Sequence, residues 1–289
     1  MSNIALIIEE RATSIGNFMV GRLLPFRQKR AVGPFVFIDH MGPVRLSSKE
    51  NLDIPPHPHI GLSTLTYLFD GSIFHRDSLG SAVEITPGAV NWMTAGRGVV
   101  HSERTPEHLR TSDKELHGLQ IWVALPKELE DMNPSFSHIE PEKLPAWEEG
   151  NIQFKLIAGE ALGRKSPVPV LSKLFFIELK CDGKSHLDIG SQLSGESALY
   201  ILEGGIVSDG NRFGPKQLLI AKDAQICSFE MEESSTVYLF GGEPFPEERF
   251  IHWNFVHSDK KKIEQAKADW EEGRFPKIEG ETGGVPIPK

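Results

Sequence analysis

The sequence PPHPHIGLSTLTYLF, residues 55–69, places a histidine pair directly before a run of apolar and β-branched residues. A second stretch, GAVNWMTAGRGVVHSE at residues 88–103, reverses that order and ends on His101-Ser102-Glu103. Glycine and proline bound both runs, which is typical of short strands joined by turns. The two stretches therefore predict antiparallel strands that bring the two polar ends face to face.

The spacing of the polar residues predicts one shared site. His57 and His59 are two residues apart, as are His101 and Glu103. Successive side chains of a strand point to opposite faces, so both members of each pair can point inward. A His-x-His match is nevertheless expected about 0.4 times by chance in a chain with this histidine content. Ordinary polar or core histidines are therefore the alternative to a metal site of three imidazoles and one carboxylate.

Strand signals recur along the whole chain, and helical periodicity is almost absent before the C-terminus. In the first half, we predict strands at residues 4–8, 35–38, 63–69, 82–85, 90–93 and 119–125. In the second half, we predict them at residues 154–158, 174–180, 197–201, 217–220, 224–230 and 236–240. Many short strands with even spacing indicate an all-β protein built from two similar β-barrel domains.

A polar, acidic, proline-containing segment at residues 137–150 is typical of a crossing between domains. We therefore predict an N-terminal domain at residues 1–136 that holds the metal, and a C-terminal domain at residues 137–289 without one. The second domain includes a helix at about residues 259–272, capped by Ser258 or Asp259.

That helix has lysines in its first turn and glutamates in its last, which opposes the helix macrodipole. It must therefore gain stability elsewhere, and Ile263, Ala266 and Trp270 lie at helical spacing. We expect these three side chains to pack on a barrel. Gly273 serves as the stop signal.

The charge balance argues against a nucleic-acid surface, because the net charge is −9 and the basic clusters are short. Only two cysteines occur, Cys181 and Cys227, and their apolar surroundings predict buried thiols in a reducing compartment. The N-terminal run IALII is too short for a secretion signal or a membrane span. We therefore expect a cytoplasmic protein that binds neither nucleic acid nor membrane, and we expect a monomer.

Three stretches carry a resemblance to a known family: VGPFVFIDHMGP at residues 32–43, IPPHPHIGLSTLTYLFDG at residues 54–71 and PGAVNWMTAGRGVVHSE at residues 87–103. In order and spacing they resemble the N-terminal domain of the pirin family, whose members contain two cupin domains. The similarity extends over nearly the whole chain and is stronger before about residue 125. The resemblance implies two jelly-roll-like cupin barrels.

In that family a single metal ion, iron in several members, lies on three histidines and one glutamate of the N-terminal cupin. The resemblance places these ligands at His57, His59, His101 and Glu103. Many cupins instead carry a ligand glutamate shortly after His-x-His, where this chain has Ser63-Thr64. This departure fits the pirin variant and weakens any activity inferred from cupins in general.

Two other histidine positions are not expected to bind metal. His138-Ile139-Glu140 repeats the spacing of the second pair, but it lies in a stretch with no strand pattern. The second half of the chain offers only His186 and no paired motif, so we predict no second metal site there.

The predicted ligand set suits Fe(II), which we favour as the cofactor, and also zinc, manganese, nickel or copper. Pirins with these ligands resemble quercetinases, dioxygenases that open the central ring of a flavonol and release carbon monoxide. We therefore expect a phenolic substrate and dioxygen, with Glu103 as the catalytic base that takes the proton of the 3-hydroxyl.

Further residues near the motifs are candidates for the substrate pocket or for contact with the metal ligands. Aromatic candidates are Phe35, Phe37, Phe69 and Trp92, with an ordinary core position as the alternative for each. Histidine candidates are His40, His75 and His117, with a structural role as the alternative for each.

The resemblance also implies a different class of function. Pirins resemble transcriptional coregulators and partners of metabolic enzymes, so a metal-binding regulatory protein that acts through a protein partner is the competing hypothesis. An isomerase or a sugar-binding cupin is a third, weaker possibility.

Overall fold

A computed structural model describes residues 3–15, 18–222 and 228–288. In chain order the first strands are β1 Ile4–Glu9, β2 Arg11–Ile15, β3 Phe18–Leu24, β4 Phe35–Leu46, β5 Asp53–His59, β6 Leu62–Asp70, β7 Ile73–Asp77, β8 Ala82–Ile85, β9 Val90–Thr94, β10 Val99–Arg104, β11 Lys114–Ala124 and β12 Ser135–Ile139. The others are β13 Ala146–Glu149, β14 Ile152–Ala161, β15 Arg164–Lys165, β16 Leu174–Cys181, β17 Ser185–Asp188, β18 Glu196–Glu203, β19 Ile206–Ser208, β20 Asn211–Phe213, β21 Gln217–Ala221, β22 Ser228–Met231, β23 Ser235–Gly242, β24 Phe250–His252 and β25 Phe255–His257. Helix α1 spans Lys260–Glu271.

This architecture confirms the predicted all-β fold with two barrels and a short C-terminal helix. Each predicted strand overlaps an observed one, although residues 224–227 of one prediction lie outside the described residues. Glycine and proline mark the turns as expected. The Asp209-Gly210 loop joins β19 to β20, and both residues have positive φ, which a two-residue hairpin turn requires.

The N-terminal barrel consists of Ala12–Gly21, Phe37–Pro141 and Pro246–Lys289. It contains a four-stranded sheet in the order β5-β10-β7-β8 and a seven-stranded sheet in the order β12-β9-β6-β11-β4-β3-β2. Part of its core consists of Phe18, Val20, Met41, Leu52, Leu68, Ile73, Ile85, Ala89 and Leu116.

The C-terminal barrel consists of Met1–Arg11, Arg22–Val36 and Glu142–Phe245. Its larger sheet has the order β1-β21-β18-β23-β16-β14-β13, with β15 paired to β14. Its smaller sheet has the order β17-β22-β19-β20. The core is apolar and extensive, with Phe154, Phe175, Phe229, Leu199, Leu239 and Met231 among its members.

The ends of the chain differ from the predicted domain boundaries of 1–136 and 137–289. Strand β1 pairs with β21 and belongs to the C-terminal barrel, whereas residues after 245 belong to the N-terminal barrel. The physical reason is the pairing itself, because an amphipathic edge strand and a helix are stabilised by whichever core covers their apolar face.

Helix α1 follows its sequence signals. Asp259 caps it, since its Oδ1 accepts a hydrogen bond of 2.8 Å from the backbone N–H of Lys261. Gly273 lies just beyond its end with a φ of 70°. Ile263 and Ala266 are buried against Ile60 and Phe255, with Trp270 partly buried beside them. The helix therefore packs as predicted, but on the N-terminal barrel.

The polar stretch at residues 137–150 is not free of strands, which corrects the prediction for it. It contains the end of β12 and all of β13, and β12 pairs with β9. Cys181 is a free, buried thiol, as predicted, while Cys227 lies outside the described residues. Among the described residues, no helix has the length and apolar character that a bilayer crossing requires.

Candidate metal centre

Strands β5 and β10 bring the two histidine motifs together. They pair antiparallel with His57 opposite His101 and His59 opposite Val99. The pairing shifts in register between His101 and Glu103, as happens at a β-bulge or a similar irregularity. The predicted meeting of the two strands is therefore confirmed.

Three imidazoles lie within reach of one ion. The nitrogen atoms that His57, His59 and His101 offer all lie within 4.8 Å of one another, and all three residues are buried. Nε2 of His59 lies 3.1 Å from Nε2 of His101. Because metal–imidazole bonds are about 2.0–2.1 Å long, two nitrogens at this separation can both bind the same ion.

Backbone carbonyls fix the ring hydrogens of two of these histidines. Nδ1 of His57 lies 2.9 Å from the carbonyl oxygen of Pro55, and Nδ1 of His59 lies 3.2 Å from that of Asn254. A carbonyl only accepts, so Nδ1 carries the hydrogen in each ring and Nε2 keeps its lone pair. Such carbonyl contacts are how proteins orient histidines that ligate metals.

Burial keeps the three imidazoles uncharged. It lowers the pKa of His57 to about 4 and lowers the pKa values of His59 and His101 well below the usual range. A cluster of neutral, buried nitrogen donors is the form of histidine that binds a transition metal. The residues present therefore fit a divalent metal ion, and the histidine triad could hold one.

Glu103 lies on the same strand but outside the group whose ligand atoms are mutually within 4.8 Å. Its carboxyl is buried, and this burial raises its pKa, with partial opposition from His75 and from a hydrogen bond with Thr66. Oγ1 of Thr66 also lies 3.0 Å from Oε1 of Gln120. The structure therefore gathers the three predicted imidazoles, while the role of Glu103 as a ligand stays a prediction.

Strand β7 adds two polar residues that contact this cluster. In the pairing of β7 with β10, His75 lies opposite Glu103 and Asp77 lies opposite His101, with the pair of Arg76 and Ser102 between them. Nδ1 of His75 lies 3.4 Å from Nδ1 of His101. The sequence analysis singled out His75 but missed Asp77, although His75-Arg76-Asp77 has the same two-residue spacing as the ligand motifs.

Of the aromatic candidates, Phe37 lies beside the histidine triad, whereas Phe35 lies in the C-terminal barrel. Phe37 stacks on Trp122 with ring centroids 3.9 Å apart, and Trp122 contacts His59 edge to face at 5.2 Å. Phe35 packs against Phe176 and Phe240 in the C-terminal barrel, so the core position given as its alternative is confirmed.

The other aromatic candidates have core or polar surroundings instead. Trp92 is fully buried and donates its indole N–H to Thr94. Phe69 packs against His40 and His117, whose Nε2 atoms lie 2.8 Å apart. Core packing, the alternative given for each of them, accounts for Trp92, whereas Phe69 is half-buried beside the two histidines.

His138 and His186, the two histidines not expected to bind metal, do not join the triad. His138 Nδ1 lies 2.6 Å from Oδ1 of Asn91, and its Nε2 lies 3.4 Å from Glu140. His186 is exposed on β17, opposite Glu230. Neither belongs to a three-residue ligand group among the described residues.

Two barrels of this topology, with a buried histidine triad in one of them, define a protein of the bicupin class. Family models for pirin and for the pirin C-terminal cupin domain match residues 17–123 and 176–276. The chain belongs to the pirin family.

Relatives support this assignment. A pirin-like protein of Caulobacter vibrioides is 47% identical over 99% of this chain and 100% of its own length. The crystal structure of a quercetin 2,3-dioxygenase from Acinetobacter baumannii has a TM-score of 0.89 at 33% identity and covers 98% of this chain and 95% of its own. A bacterial pirin from Escherichia coli, solved in complex with nickel(II), is more distant, with a TM-score of 0.64 and 19% identity over 83% of this chain and 99% of its own. This last likeness shows the fold alone.

Proposed function

We propose that this protein is a metal-dependent dioxygenase that opens the central ring of a flavonol such as quercetin and releases carbon monoxide. The observation that carries the proposal is the buried, uncharged triad of His57, His59 and His101, with Glu103 following on the same strand. The similarity to a structure named quercetin 2,3-dioxygenase supports the same substrate class.

The metal would be held by the three imidazoles and, in this proposal, by Glu103 as the fourth ligand. Nitrogen and oxygen donors accept Fe(II), manganese, nickel, copper or zinc, and we favour Fe(II). A redox-active ion bound here would polarise a phenolic oxygen of the substrate and allow dioxygen to react with it. An Escherichia coli pirin was solved in complex with nickel(II), which is one of these candidate ions.

Glu103 supplies the base in this proposal. Burial raises the pKa of its carboxyl, and a carboxylate with a raised pKa accepts a proton more readily than an exposed one. We assign it the proton of the flavonol 3-hydroxyl, accepted at a carboxylate oxygen. This carboxyl accepts a hydrogen bond from Thr66, and His75 lies opposite Glu103 on the neighbouring strand.

The stacked pair of Phe37 and Trp122 supports a flat aromatic substrate. Trp122 contacts the ring of His59, so the pair lies directly beside the triad. Aromatic surfaces bind planar rings by offset stacking, which contributes about 0.5–1.5 kcal/mol beyond simple burial. Trp122→Leu is therefore expected to raise KM for quercetin several-fold with a smaller effect on kcat.

The test is reconstitution. Protein stripped of metal is loaded anaerobically with iron, manganese, nickel or copper, quercetin is added, and air is then admitted. We expect loss of quercetin absorbance with matching release of carbon monoxide for at least one ion, and none for zinc, which has no redox chemistry. Absence of both signals with every redox-active ion would refute the proposal for this substrate.

Variants make the same test specific. Glu103→Gln is expected to lower turnover by about 100-fold or more, since general bases contribute about 10²–10⁴-fold. His186→Gln, a matched change of an exposed residue in the other barrel, is expected to leave turnover unchanged. A protein partner that still binds the His101→Ala variant would instead indicate a regulatory role independent of the metal.

A further inference from the structure

The ring of His101 lies between two other histidines, and it has only one hydrogen to donate when neutral. On one side its Nε2 faces Nε2 of His59 at 3.1 Å, and on the other its Nδ1 faces Nδ1 of His75 at 3.4 Å. Only the tautomer with the hydrogen on Nδ1 leaves Nε2 free to bind a metal. The two neighbours therefore favour opposite tautomers.

On the His59 side, the contact favours the tautomer that cannot bind metal. Nδ1 of His59 donates to the carbonyl of Asn254, so its Nε2 carries a lone pair and can only accept. Without an ion between the two rings, a hydrogen on Nε2 of His101 would satisfy this lone pair. In metal-free protein, this contact therefore favours the tautomer in which Nε2 of His101 carries a hydrogen and cannot bind a metal.

On the His75 side, the carboxylate of Asp77 acts through His75 to favour the other tautomer of His101, in which Nε2 is free. Nε2 of His75 lies 3.1 Å from Oδ2 of Asp77, and both residues are buried. A carboxylate accepts, so Nε2 of His75 carries a hydrogen, and in the neutral ring the lone pair then lies on Nδ1, directed at His101. His75 is held in this position by stacking on Phe136, with centroids 4.5 Å apart and planes 14° apart.

Asp77 is itself fixed as an ionised acceptor. Its Oδ1 accepts backbone hydrogen bonds of 2.8 Å from Leu79 and 2.9 Å from Ser81 in the turn after β7. Although burial raises the pKa of Asp77, the hydrogen bonds from His75 and Ser81 lower it by more. The carboxylate, the ring of His75 and the ring of His101 thus form a directed chain of donors and acceptors.

We propose that Asp77 and His75 are positioning residues that hold His101 in the tautomer with a free Nε2, and so prepare the triad for metal. This inference rests on the proposed function only in requiring that the triad binds a metal. Residues that orient metal ligands in this way typically change metal affinity by about 10–100-fold when they are removed.

The decisive variant is His75→Phe, which removes the acceptor but keeps a flat ring to stack on Phe136. His75→Gln restores a side chain with both an acceptor and a donor, and serves as the conservative rescue. His40→Phe is the matched control, because His40 is also buried in the N-terminal barrel and also contacts a second histidine, His117, through Nε2.

The first measurement uses metal-free, full-length protein and records the ring ¹⁵N chemical shifts of His101 by NMR. We expect His75→Phe to move the population of His101 toward the Nε2–H tautomer, whereas His75→Gln and His40→Phe keep the distribution of the parent protein. An unchanged distribution in His75→Phe would overturn the inference.

The second measurement titrates each protein with nickel(II) against a competing chelator. We expect a loss of affinity of about 10–100-fold for His75→Phe, with substantial recovery in His75→Gln and no change in His40→Phe. Equal losses in His75→Phe and His40→Phe would show a general effect of disturbing the barrel and would also overturn the inference. If the parent protein binds no metal ion, the proposed function fails, while the NMR result still decides the tautomer of His101.

Discussion

The two barrels contain the same small sheet with different residues inside. Strands β5-β10-β7-β8 of the N-terminal barrel have the same order of connections as β17-β22-β19-β20 of the C-terminal barrel. In the first, the central register pair is His57 opposite His101. In the second, Leu187 lies opposite Phe229. One scaffold therefore carries polar ligands in one copy and an apolar core in the other.

The difference indicates how much apolar stabilisation a barrel loses when its interior holds a metal site. A buried Leu or Phe side chain contributes about 1.5–3 kcal/mol to folding, and Leu187, Phe229 and Met231 all belong to one core cluster. Buried imidazoles contribute less and need hydrogen-bond partners, which Pro55 and Asn254 supply in the N-terminal barrel. Function thus depends on side chains that replace part of the core, and the fold alone does not determine it.

The largest expected effect comes from removing a histidine of the triad, and the matched change removes a histidine of the C-terminal barrel. His101→Ala removes one of three donors, and we expect metal affinity and any metal-dependent turnover to fall by well over about 100-fold, more than loss of a supporting residue causes. His186→Ala, in the C-terminal barrel, should change neither quantity. Metal content by elemental analysis and turnover of quercetin measure both. Comparable losses in the two variants would remove the distinction between the barrels.

Strand parity explains why the triad was predictable from the sequence. His57, His59 and His101 needed only the two-residue repeat of a strand and the presence of turns between the motifs. Their carbonyl partners were not predictable, because Asn254 lies 195 residues from His59 and no local pattern links them. The partners of β1 and α1, near the two ends of the chain, were not predictable for the same reason.

The place of β1 and α1 shows the limit most plainly. The apolar run in β1 predicts a strand, yet nothing in it identifies β21 as its neighbour more than 200 residues away. The periodicity of α1 identified Ile263 and Ala266 as its buried face, but it did not identify the barrel that covers them. Local patterns determine the type of an element, whereas its partner depends on competition among distant surfaces.

The second prediction concerns the apolar interior. Phe229→Ala removes a fully buried ring from the small sheet of the C-terminal barrel, and we expect a loss of about 3–5 kcal/mol in the free energy of unfolding. Denaturant unfolding measures this loss. Nickel(II) binding at temperatures where the variant stays folded should be unchanged, and a weakened metal site there would show that the two interiors are coupled.

The third prediction uses the metal as a probe of one barrel. Nickel(II) at about 100 times its dissociation constant stabilises the state that binds it by about 2.7 kcal/mol. We therefore expect slower amide hydrogen exchange in β5 and β10, up to about 100-fold, and little change in β17 and β22. Chelator should reverse the effect. Equal protection of all four strands would contradict a site confined to the N-terminal barrel.

The outer face of β10 provides the smallest expected effect. Ser102 and Arg104 alternate with the inward-facing His101 and Glu103, and both bind the carboxylate of Glu281. The Ser102 hydroxyl donates to Oε1 at 2.5 Å, and Arg104 donates to Oε2 at 2.7 Å. The C-terminal segment is thus fastened to the strand that carries the ligands. On the equivalent strand of the other barrel, Glu230 forms an ion pair with the exposed Lys184.

Glu281→Gln tests whether this attachment stabilises the ligand strand. The Glu281 side chain is only 6% exposed, so loss of its charge-assisted hydrogen bonds is expected to cost about 1–2 kcal/mol in unfolding free energy. Nickel(II) affinity should fall less than tenfold, because the triad itself stays intact. Glu230→Gln is the matched control, and its exposed ion pair should contribute no more than about 0.5 kcal/mol. If Glu281→Gln lowers the unfolding free energy no more than Glu230→Gln does, the C-terminal segment lies on the ligand strand without stabilising it. The stability of the N-terminal barrel must then come from its interior alone.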